Sequence, residues 1–530
     1  MSERPNVLLI TTDHWPADLL GCAGHPNIQT PTLDALARCG RRFTNAYSEC
    51  PVCIPARRSL LTGQSPRLHG DRTFQTTLTM PDVPTIADTF RNAGYQANAV
   101  GKLHVFPQRA RAGFDDVILA EEGRPHWGVW DDYDIFLGDK GHAGRQFDHA
   151  MSNNQYTARP WHLPEDCHVT TWTAQQMSRT IRRRDPTRPG FWYLSFTHPH
   201  PPLVPPQHYW DMYSDIEIDE PVYGDWVPES WNDVSPGGTD QGTKTGQPTS
   251  PGDELCYRLN VQRNGWHVRS SKAVRTALQG FYALCTHIDH QIRLVLGTLR
   301  EEGILDDTII VFTADHGDML GRHGLWAKRL FYEGSANVPL LLVPSKGDQR
   351  VTENSCDDRL VNLRDVMPTL LDQAGISIPD SCDGIPMVGD RRREHAYGEC
   401  NEGPMSARMI HDGRYKLVYY PAGNCRQLFD LHNDPTELHD LSADNDHATE
   451  LDRLTALLCS QFYGSDQDWV NDAGDLIGLP DQGCPPLSNR GLALQRGVHW
   501  PPAPVTPPDI GETNPGTNLS REHSFFCPAF

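Results

Sequence analysis

The chain contains 530 residues, 38% of them hydrophobic, and carries a formal net charge of −21 at pH 7. This length exceeds that of one compact domain and predicts a large domain accompanied by a smaller one. The negative charge argues against nucleic acid and acidic membrane surfaces as partners, so a substrate anion has to be attracted by a local cationic pocket.

The amino-terminal segment is expected to form a buried strand rather than a targeting signal. Residues 6–10 form an apolar run that is too short for the core of a signal peptide, and no stretch approaches the length of a membrane span. The fourteen cysteines are scattered, without paired CxxC motifs at zinc-ribbon spacing, so most are expected to be free thiols. We therefore predict a cytoplasmic protein without a membrane partner.

Short apolar runs alternate with segments of helical spacing through residues 1–375. Strands are predicted at 7–11, 97–100, 191–196, 308–313 and 339–343, and helices at 31–39, 85–92, 171–181 and 272–302. This alternation is typical of an α/β fold. We predict a large sandwich over residues 1–380, with a mostly parallel central sheet flanked by helices.

The remaining segments have other patterns. Residues 235–253 are rich in Gly, Ser, Thr and Pro and predict a long surface loop. Residues 381–475 predict a small α+β subdomain with a short antiparallel sheet: a hairpin at 407–420 that turns at Asp412–Gly413, a strand at 427–430 and a helix at about 447–462. Residues 476–530 contain two Pro-Pro pairs and predict an irregular tail.

Acidic residues follow two of the predicted strands. Asp13 comes after the first strand, and Asp315 and His316 come after the strand at 308–313. Functional groups of open α/β sheets gather at the carboxyl ends of strands, where two carboxylates could hold a hard divalent cation. For Asp13 alone, a helix N-cap is an equally good interpretation.

A Cys-Ile-Pro-Ala-Arg segment from Cys53 to Arg57 is the most specific local feature. A helix that begins at Pro55 would direct its free N–H groups at Cys53 and at an anion held there. Cys50 and Cys53 also form a C-x-x-C, so a redox pair is the competing interpretation.

Two further segments place cationic or titratable groups after strands. Lys102 and His104 are expected on the same side of an extended segment. The segment 195–202 offers two histidines, His198 and His200. Each has an ordinary alternative, since a lysine is often solvated and a lone histidine is often a hydrogen-bonded structural residue.

Taken together, Cys53, Pro55, Arg57 and Gly63, with the string Thr-Ala-Asp-His-Gly-Asp through Lys328, resemble the type I sulfatases of the alkaline phosphatase superfamily. The resemblance implies that a maturation enzyme oxidises the cysteine to formylglycine, whose hydrate attacks a sulfate ester. It also implies roles for nine residues. The metal ligands would be Asp13, Cys53, Asp315 and His316, and the catalytic set would be Cys53, Arg57, Lys102, His104, His200 and Lys328.

Within that resemblance, the two lysines would hold the sulfate, and His104 would serve proton transfer. The family pattern selects His200 near the leaving oxygen, as donor or general acid. The metal would be calcium first and manganese second, because an imidazole nitrogen at His316 suits manganese better.

The pairing of one Asp with an Asp-His is similar to that of phosphonate monoester hydrolases and choline sulfatases, whereas Lys102 with His104 favours a sulfatase. We therefore predict a sulfuric ester hydrolase acting on a small or carbohydrate sulfate ester. A phosphonate monoester or phosphodiester hydrolase on the same scaffold is the alternative, and an unmodified binding protein is a third. The sequence is compatible with a homo-oligomer.

Overall fold

The computed structural model describes residues 4–122, 130–151, 154–227, 268 and 270–480. The predicted loop at 235–253 and residues 481–530 of the predicted tail lie outside this range. No helix of the described residues is long and apolar enough to cross a bilayer.

An eight-stranded sheet forms the centre of the protein, in the order β4-β3-β5-β1-β6-β7-β2-β8. Only β7 runs antiparallel to its neighbours. The strands are β1 (Asn6–Thr12), β2 (Arg41–Tyr47), β3 (Gln96–Gly101), β4 (Asp116–Leu119), β5 (Gly190–Ser195), β6 (Thr308–Ala314), β7 (Leu340–Val343) and β8 (Ser355–Asn362).

Helices flank this sheet in two groups, and the helices of each group contact one another. The first group packs α1 (Pro31–Cys39), α6 (Val169–Arg182) and α7 (Gln207–Asp211) against the long α8 (Ser271–Glu301), and the second joins α2 (Cys53–Thr62), α3 (Pro66–His69), α4 (Ile86–Asn92) and α10 (Val366–Gln373). The remaining short helices are α5 (Asp132–Asp139) and α9 (Glu333–Ala336). The predicted mostly parallel α/β sandwich is confirmed.

The burial of the three central strands, β1, β5 and β6, explains why their sequences are continuous apolar runs rather than alternating patterns. Every residue of β5 and β6 is buried, as are all residues of β1 after Asn6. Strands covered by helices on both faces bury both sets of side chains, which requires apolar residues at successive positions.

A second sheet follows in the carboxy-terminal part, with four antiparallel strands in the order β12-β11-β10-β9. These are β9 (Ala396–Cys400), β10 (Ala407–His411), β11 (Tyr415–Tyr420) and β12 (Cys425–Asp430), and α11 (Ala448–Gln461) packs on β10 and β11. The hairpin predicted at 407–420 is confirmed, and Gly413 takes a φ of 99° at its turn.

Buried charges join the small sheet to the large domain. Asp466, fully buried, accepts hydrogen bonds from Arg408 Nε at 2.8 Å and from Arg72 Nη1 at 2.8 Å. Arg72 follows α3, whereas Arg408 lies on β10. The three side chains therefore join the small sheet to the segment after α3 of the large domain, and α3 in turn contacts the helix that carries Cys53.

Candidate active site

The carboxyl ends of β1 and β6 bring the first acidic residues together. Thr12 pairs with Ala314 in the parallel ladder, so Asp13 and Asp315 each come directly after paired residues. The backbone N–H of Asp315 donates to the carbonyl of Thr12 at 3.1 Å. Both carboxylates are fully buried, as expected from the position of functional groups in open α/β sheets.

Helix α2 presents Cys53 to these carboxylates from its amino-terminal end. The helix begins at Cys53, two residues earlier than predicted from Pro55. Pro55 is still tolerated, because N–H groups in the first turn have no partner within the helix. The sulfur of Cys53 lies 3.4 Å from His316 Nε2 and 3.7 Å from Asp13 Oδ1.

Lys328 reaches the same sulfur from the loop after β6. Its Nζ lies 2.8 Å from Cys53 Sγ, 2.5 Å from His14 Nε2 and 3.9 Å from Asp13 Oδ1. An ammonium, a carboxylate and an imidazole therefore converge on one side chain at a helix amino terminus, an arrangement suited to binding an anion.

Arg57 lies one helical turn after Cys53 and forms hydrogen bonds with residues at the ends of neighbouring strands. Its Nε donates to Asp315 Oδ2 at 2.8 Å, and its Nη1 donates to Ser195 Oγ at 2.8 Å and to the carbonyl of Lys102 at 3.0 Å. Burial alone would lower the pKa of this guanidinium, but the charge of Asp315 raises it above the ordinary value. The residue thus connects helix α2 to the ends of strands β3, β5 and β6.

Lys102 forms a buried ion-paired bridge. Its ammonium donates to the carboxylates of Asp13 and Glu122. Burial opposes the charged form, yet these carboxylates raise the pKa of Lys102 above its ordinary value. The same ion pair keeps the pKa of Asp13 well below its usual range, against the effect of burial. Asp13 is therefore ionised in the site.

The sequence predicted that Lys102 and His104 lie on the same side of an extended segment, but the segment does not stay extended at His104. Its φ is 57°, in the left-handed region, so the alternation of sides breaks there. The backbone N–H donates to Glu121 Oε1 at 3.0 Å, and the ring packs edge-on against Phe74 with 5.7 Å between centroids. The turn at this residue is the reason that the period-two expectation fails.

Of the two histidines in the segment 195–202, His200 faces the cluster. Its ring centroid lies 4.4 Å from that of His14, and its Nε2 lies 4.0 Å from Glu122 Oε1. His200 Nδ1 lies 2.6 Å from the carbonyl of Pro201, which can only accept, so Nδ1 carries the proton. Nε2 is buried and has no hydrogen-bond partner among the described residues. His198 instead bonds the His200 carbonyl through Nδ1.

His14 and His316 both present a lone pair to the cluster. His14 Nδ1 lies 2.6 Å from Asp318 Oδ2, and His316 Nδ1 lies 2.9 Å from the carbonyl of Gly317. Both partners only accept, so each ring is protonated at Nδ1 and leaves Nε2 free of its proton. Burial lowers the pKa of His316 to about 4 and holds that of His14 well below its usual range.

Four of these side chains have the spacing of a metal site. The ligand atoms of Asp13, His14, Cys53 and His316 all lie within 4.8 Å of one another. Asp13 Oδ1 lies 3.4 Å from His316 Nε2 and 3.6 Å from His14 Nε2, which is close to the ~3 Å edge between neighbouring ligands of one cation. Asp315 lies next to these four residues, and one of its carboxylate oxygens is ion-paired with Arg57.

Three residues of the site were not found from the sequence. His14 follows Asp13 but turns inward only because its φ is 68°. Asp318 accepts from the Tyr156 hydroxyl and holds His14. Glu122 pairs with Lys102. The first two lie inside segments already singled out, so their polar side chains next to the candidate ligands were the available signal.

Comparison with known proteins adds to this geometry. The model of the Sulfatase family matches residues 5–376, and the model described as N-sulphoglucosamine sulphohydrolase, C-terminal, matches residues 321–462. An arylsulfatase of Clostridium perfringens is 34% identical over 495 residues, which cover 90% of this chain and 98% of the relative. A choline-sulfatase of Rhizobium meliloti is 32% identical over 484 residues, covering 86% and 85%.

Solved structures show the same fold at lower identity. A phosphonate monoester hydrolase of Agrobacterium radiobacter superposes with a TM-score of 0.70 at 22% identity, covering 89% of this chain and 99% of that one. A protein solved with its substrate D-glucosamine-2-N,6-O-disulfate gives 0.66 at 21%, covering 86% and 97%. The family match extends over most of the chain and includes the residues around Cys53, and the chain therefore belongs to the sulfatase family and is a hydrolase of sulfate esters.

Proposed function

We propose that the enzyme cleaves a sulfate monoester into an alcohol and inorganic sulfate. For this reaction it would use one divalent cation and a formylglycine that is made from Cys53. The observation that carries this proposal is the convergence on Cys53 Sγ of His316 at 3.4 Å, Asp13 at 3.7 Å and Lys328 at 2.8 Å. A cysteine of ordinary structural role would not need three ionisable neighbours in a buried site.

The residues present fit a divalent cation. The cluster offers a carboxylate oxygen of Asp13, two imidazole lone pairs and the side chain at position 53. Asp315, the other predicted ligand, places its Oδ1 3.5 Å from His316 Nε2 and remains a proposed ligand. The sequence ranked calcium before manganese, with His316 as the imidazole ligand. Because His14 supplies a second imidazole, the donor set favours manganese, since calcium prefers oxygen ligands. We therefore propose manganese as the first cation to test and calcium as the second.

The modified residue and the cation supply the nucleophilic hydroxyl and the neutralisation of charge on the sulfate. The remaining work falls to this chain's own side chains. Lys328 and Lys102 provide the cationic pocket that the net charge of −21 requires. Arg57 holds Asp315 and the carbonyl of Lys102 in place.

Lys328 is the better donor of a proton to the leaving oxygen. His200 is protonated at Nδ1 by its bond to a carbonyl, so its neutral Nε2 carries no proton to give. Lys328 Nζ has protons and lies 2.8 Å from Cys53 Sγ. We propose that Lys328 protonates the departing alcohol and that His200 Nε2 accepts a hydrogen bond from it. His104 remains our proposed residue for proton transfer on the product side.

The substitution Cys53→Ala tests the proposal. We expect turnover of 4-nitrophenyl sulfate to fall to background, while the thermal midpoint stays close to that of the parent because the change removes one sulfur atom. Retained turnover would place the nucleophile elsewhere. A second test is Lys328→Ala, which should reduce kcat more for sulfate esters of poor leaving groups than for 4-nitrophenyl sulfate, because only poor leaving groups need the proton.

A phosphonate monoester hydrolase is the second candidate function. The shared fold with the Agrobacterium radiobacter enzyme favours it, whereas Lys102 beside the cluster favours a sulfatase. A comparison of kcat/KM for 4-nitrophenyl sulfate and 4-nitrophenyl phenylphosphonate decides between them, since the leaving group is the same. A preference for the phosphonate would overturn the assignment.

Partners and compartment follow as proposals of the same kind. We propose a formylglycine-generating enzyme as the maturation partner, a cytoplasmic location and compatibility with a homo-oligomer. The scattered cysteines, without paired CxxC motifs at zinc-ribbon spacing, are the basis of the proposed reducing compartment. Coexpression with and without the maturation enzyme, scored by specific activity, tests the first of these.

A further inference from the structure

Cys50 has a different thiol partner from the one that its C-x-x-C with Cys53 suggested. Cys53 Sγ contacts the charged groups of the candidate active site. The side chain of Cys50 instead forms a hydrogen bond with that of Cys400, the last residue of β9. Both thiols are fully buried and belong to one apolar cluster. A formylglycine at position 53 carries no sulfur, so Cys400 is then the thiol available to Cys50.

Backbone hydrogen bonds hold the two cysteines beside each other. The N–H of Glu399 donates to the carbonyl of Glu49 at 2.8 Å, so the residues that precede the two cysteines are joined. The carbonyl of Arg72 accepts from the N–H of Asn401 at 2.7 Å and lies 3.7 Å from Cys50 Sγ. Since Asn401 directly follows the second cysteine, one carbonyl group contacts both segments. The backbone therefore keeps the two thiols in reach of each other.

The surroundings make Cys400 the more reactive of the two thiols. Its pKa lies below the ordinary value, because Cys50 donates a hydrogen bond to it and because Arg329 and Arg408 carry positive charge nearby. The pKa of Cys50 is raised well above its usual range, chiefly by burial. In a redox pair, a thiolate attacks the oxidant and a neighbouring thiol resolves the product. Cys400 and Cys50 match these two roles.

Burial restricts the oxidant to a small molecule. The chain reaches the surface directly after Cys400, because Asn401 is partly exposed and the side chain of Glu402 is 58% exposed. A local opening of this short segment admits a molecule close to water in size. Hydrogen peroxide meets that requirement, whereas a bulky disulfide such as oxidised glutathione does not.

We propose that Cys50 and Cys400 are a redox modification site, which hydrogen peroxide converts to a disulfide that lowers turnover at position 53. The Cys400 thiolate attacks one peroxide oxygen, so that an S–O bond forms while the O–O bond breaks. The hydroxide that leaves takes up the proton that Cys400 released. The Cys50 sulfur then attacks the sulfenic acid, an S–S bond replaces the S–O bond, and the hydroxyl leaves as water with the Cys50 proton. Two thiols and one peroxide give one disulfide and two waters, and two electrons pass from sulfur to peroxide.

The disulfide acts on the active site through Pro51. Bond formation brings the sulfurs closer than their hydrogen-bonded contact and therefore moves the backbone at Cys50. The carbonyl of the next residue, Pro51, accepts from the N–H of Arg329 at 2.9 Å. Arg329 follows Lys328, whose Nζ lies 2.8 Å from Cys53 Sγ. The displacement thus reaches both Lys328 and the nucleophile, and a misplacement of about 1 Å costs about 100-fold in rate. This effect on turnover rests on the proposed function, whereas formation of the disulfide does not.

Peroxide treatment of the folded, matured enzyme tests the inference. After catalase removes the peroxide and N-ethylmaleimide blocks free thiols, a non-reduced tryptic digest should contain residues 43–57 linked to residues 394–408. Fragment ions should place the link at Cys50 and Cys400. The kcat for 4-nitrophenyl sulfate should fall by at least about tenfold, and dithiothreitol should restore it.

Two variants assign the loss of activity to this pair. Cys400→Ala should keep its kcat within about twofold after peroxide treatment, because the disulfide cannot form. Cys425→Ala is the matched control, since Cys425 packs against the same apolar cluster, and it should lose activity as the parent does. Cys50→Ala replaces Cys400→Ala where the latter does not fold.

The readouts separate this inference from the proposed function. Absence of the linked peptide from the peroxide-treated parent overturns the modification site, and that readout needs no variant. A linked peptide with unchanged kcat overturns the effect on the active site, as does equal inactivation of Cys400→Ala and the parent. Absence of sulfate ester hydrolysis before peroxide treatment would instead contradict the proposed function, since the linked peptide is scored independently of activity.

Discussion

Replacing Asp318 by Asn is expected to weaken cation binding by reversing the tautomer of His14. Asp318 Oδ1 accepts from the backbone N–H groups of Leu320 and Ala327, each at 3.0 Å. Its Oδ2 faces His14 Nδ1 at 2.6 Å and the Tyr156 hydroxyl. Since the two N–H groups keep an oxygen at the first position, the new NH₂ group must face His14. Nδ1 then accepts, and the ring proton moves to Nε2, the atom in the metal-like cluster.

The size of this effect follows from the role of the partner of a ligating histidine. Loss of such a partner costs about 10- to 100-fold in metal affinity, or about 1.4–2.8 kcal/mol. The fold should tolerate the change better than the site does. Asn occupies the same volume, and the Tyr156 hydroxyl can rotate to accept from the new NH₂ group, so we expect less than about 2 kcal/mol of lost stability.

Calorimetric titration of manganese and calcium into the metal-free protein measures the prediction. Tyr156→Phe is the control, because it removes one hydrogen bond to Asp318 but keeps the carboxylate that sets the tautomer of His14. We expect that variant to lose less than about threefold in affinity. Equal affinity of Asp318→Asn and the parent would refute the reasoning, as would an equal loss in both variants.

Three further predictions concern stability. Arg57→Met should lose about 3–5 kcal/mol in urea unfolding, because it leaves buried carboxylates unpaired, whereas Arg58→Met loses only bonds to two backbone carbonyls and about 1–3 kcal/mol. Burial raises the pKa of Glu49 from 4.5 to about 7. The contribution of Glu49 to the free energy of unfolding is therefore complete below about pH 4.5 and decreases by about 3 kcal/mol as the pH rises to about 7. Glu49→Gln should remove this decrease. Gly101→Ala should prevent folding, because φ is +106° and a Cβ would overlap a carbonyl of β5, whereas Gly94→Ala, at φ +94° with no described atom within 4 Å of a Cβ, should cost about 1–2 kcal/mol.

Each of these has a contradicting outcome. Equal losses in the two arginine variants would mean that the carboxylates are not what the buried guanidinium stabilises. An identical pH dependence of unfolding in the parent and the Glu49→Gln protein would show that another group titrates there. Equal yields of folded protein for the two glycine variants would exclude the predicted clash at the end of β3.

Burial on both faces decides which strands could be predicted. Strands β1, β5 and β6 are continuous apolar runs because helices cover both sides, and they were predicted to within about one residue. Strands β2, β4 and β8 were missed. β2 has the sequence RRFTNAY, is half-buried and contains a register shift between Phe43 and Asn45, and β8 begins SCDD. Such strands are defined by hydrogen bonds to distant segments rather than by an apolar pattern.

The contrast between local sequence patterns and contacts of distant segments also separates the predicted site residues from the missed ones. Cys53 and Asp315 could be predicted, because one begins a motif and the other ends an apolar strand, and the structure brings both into one buried cluster. His14 could not, since its role needs a left-handed φ of 68° and a contact with Asp318, 304 residues away. The expected extended segment at His104 fails for a similar reason, its positive φ.

The modification of Cys53 is the central claim, and a mass spectrum tests it most directly. Trypsin releases residues 43–57 as one peptide that holds Cys50 and Cys53. In active protein we expect this peptide to be lighter by about 18 Da, the exchange of a sulfur and two hydrogens for an oxygen. Fragment ions should place the change at residue 53 and leave Cys50 a thiol. An unmodified thiol at Cys53 in protein that hydrolyses 4-nitrophenyl sulfate would contradict the account.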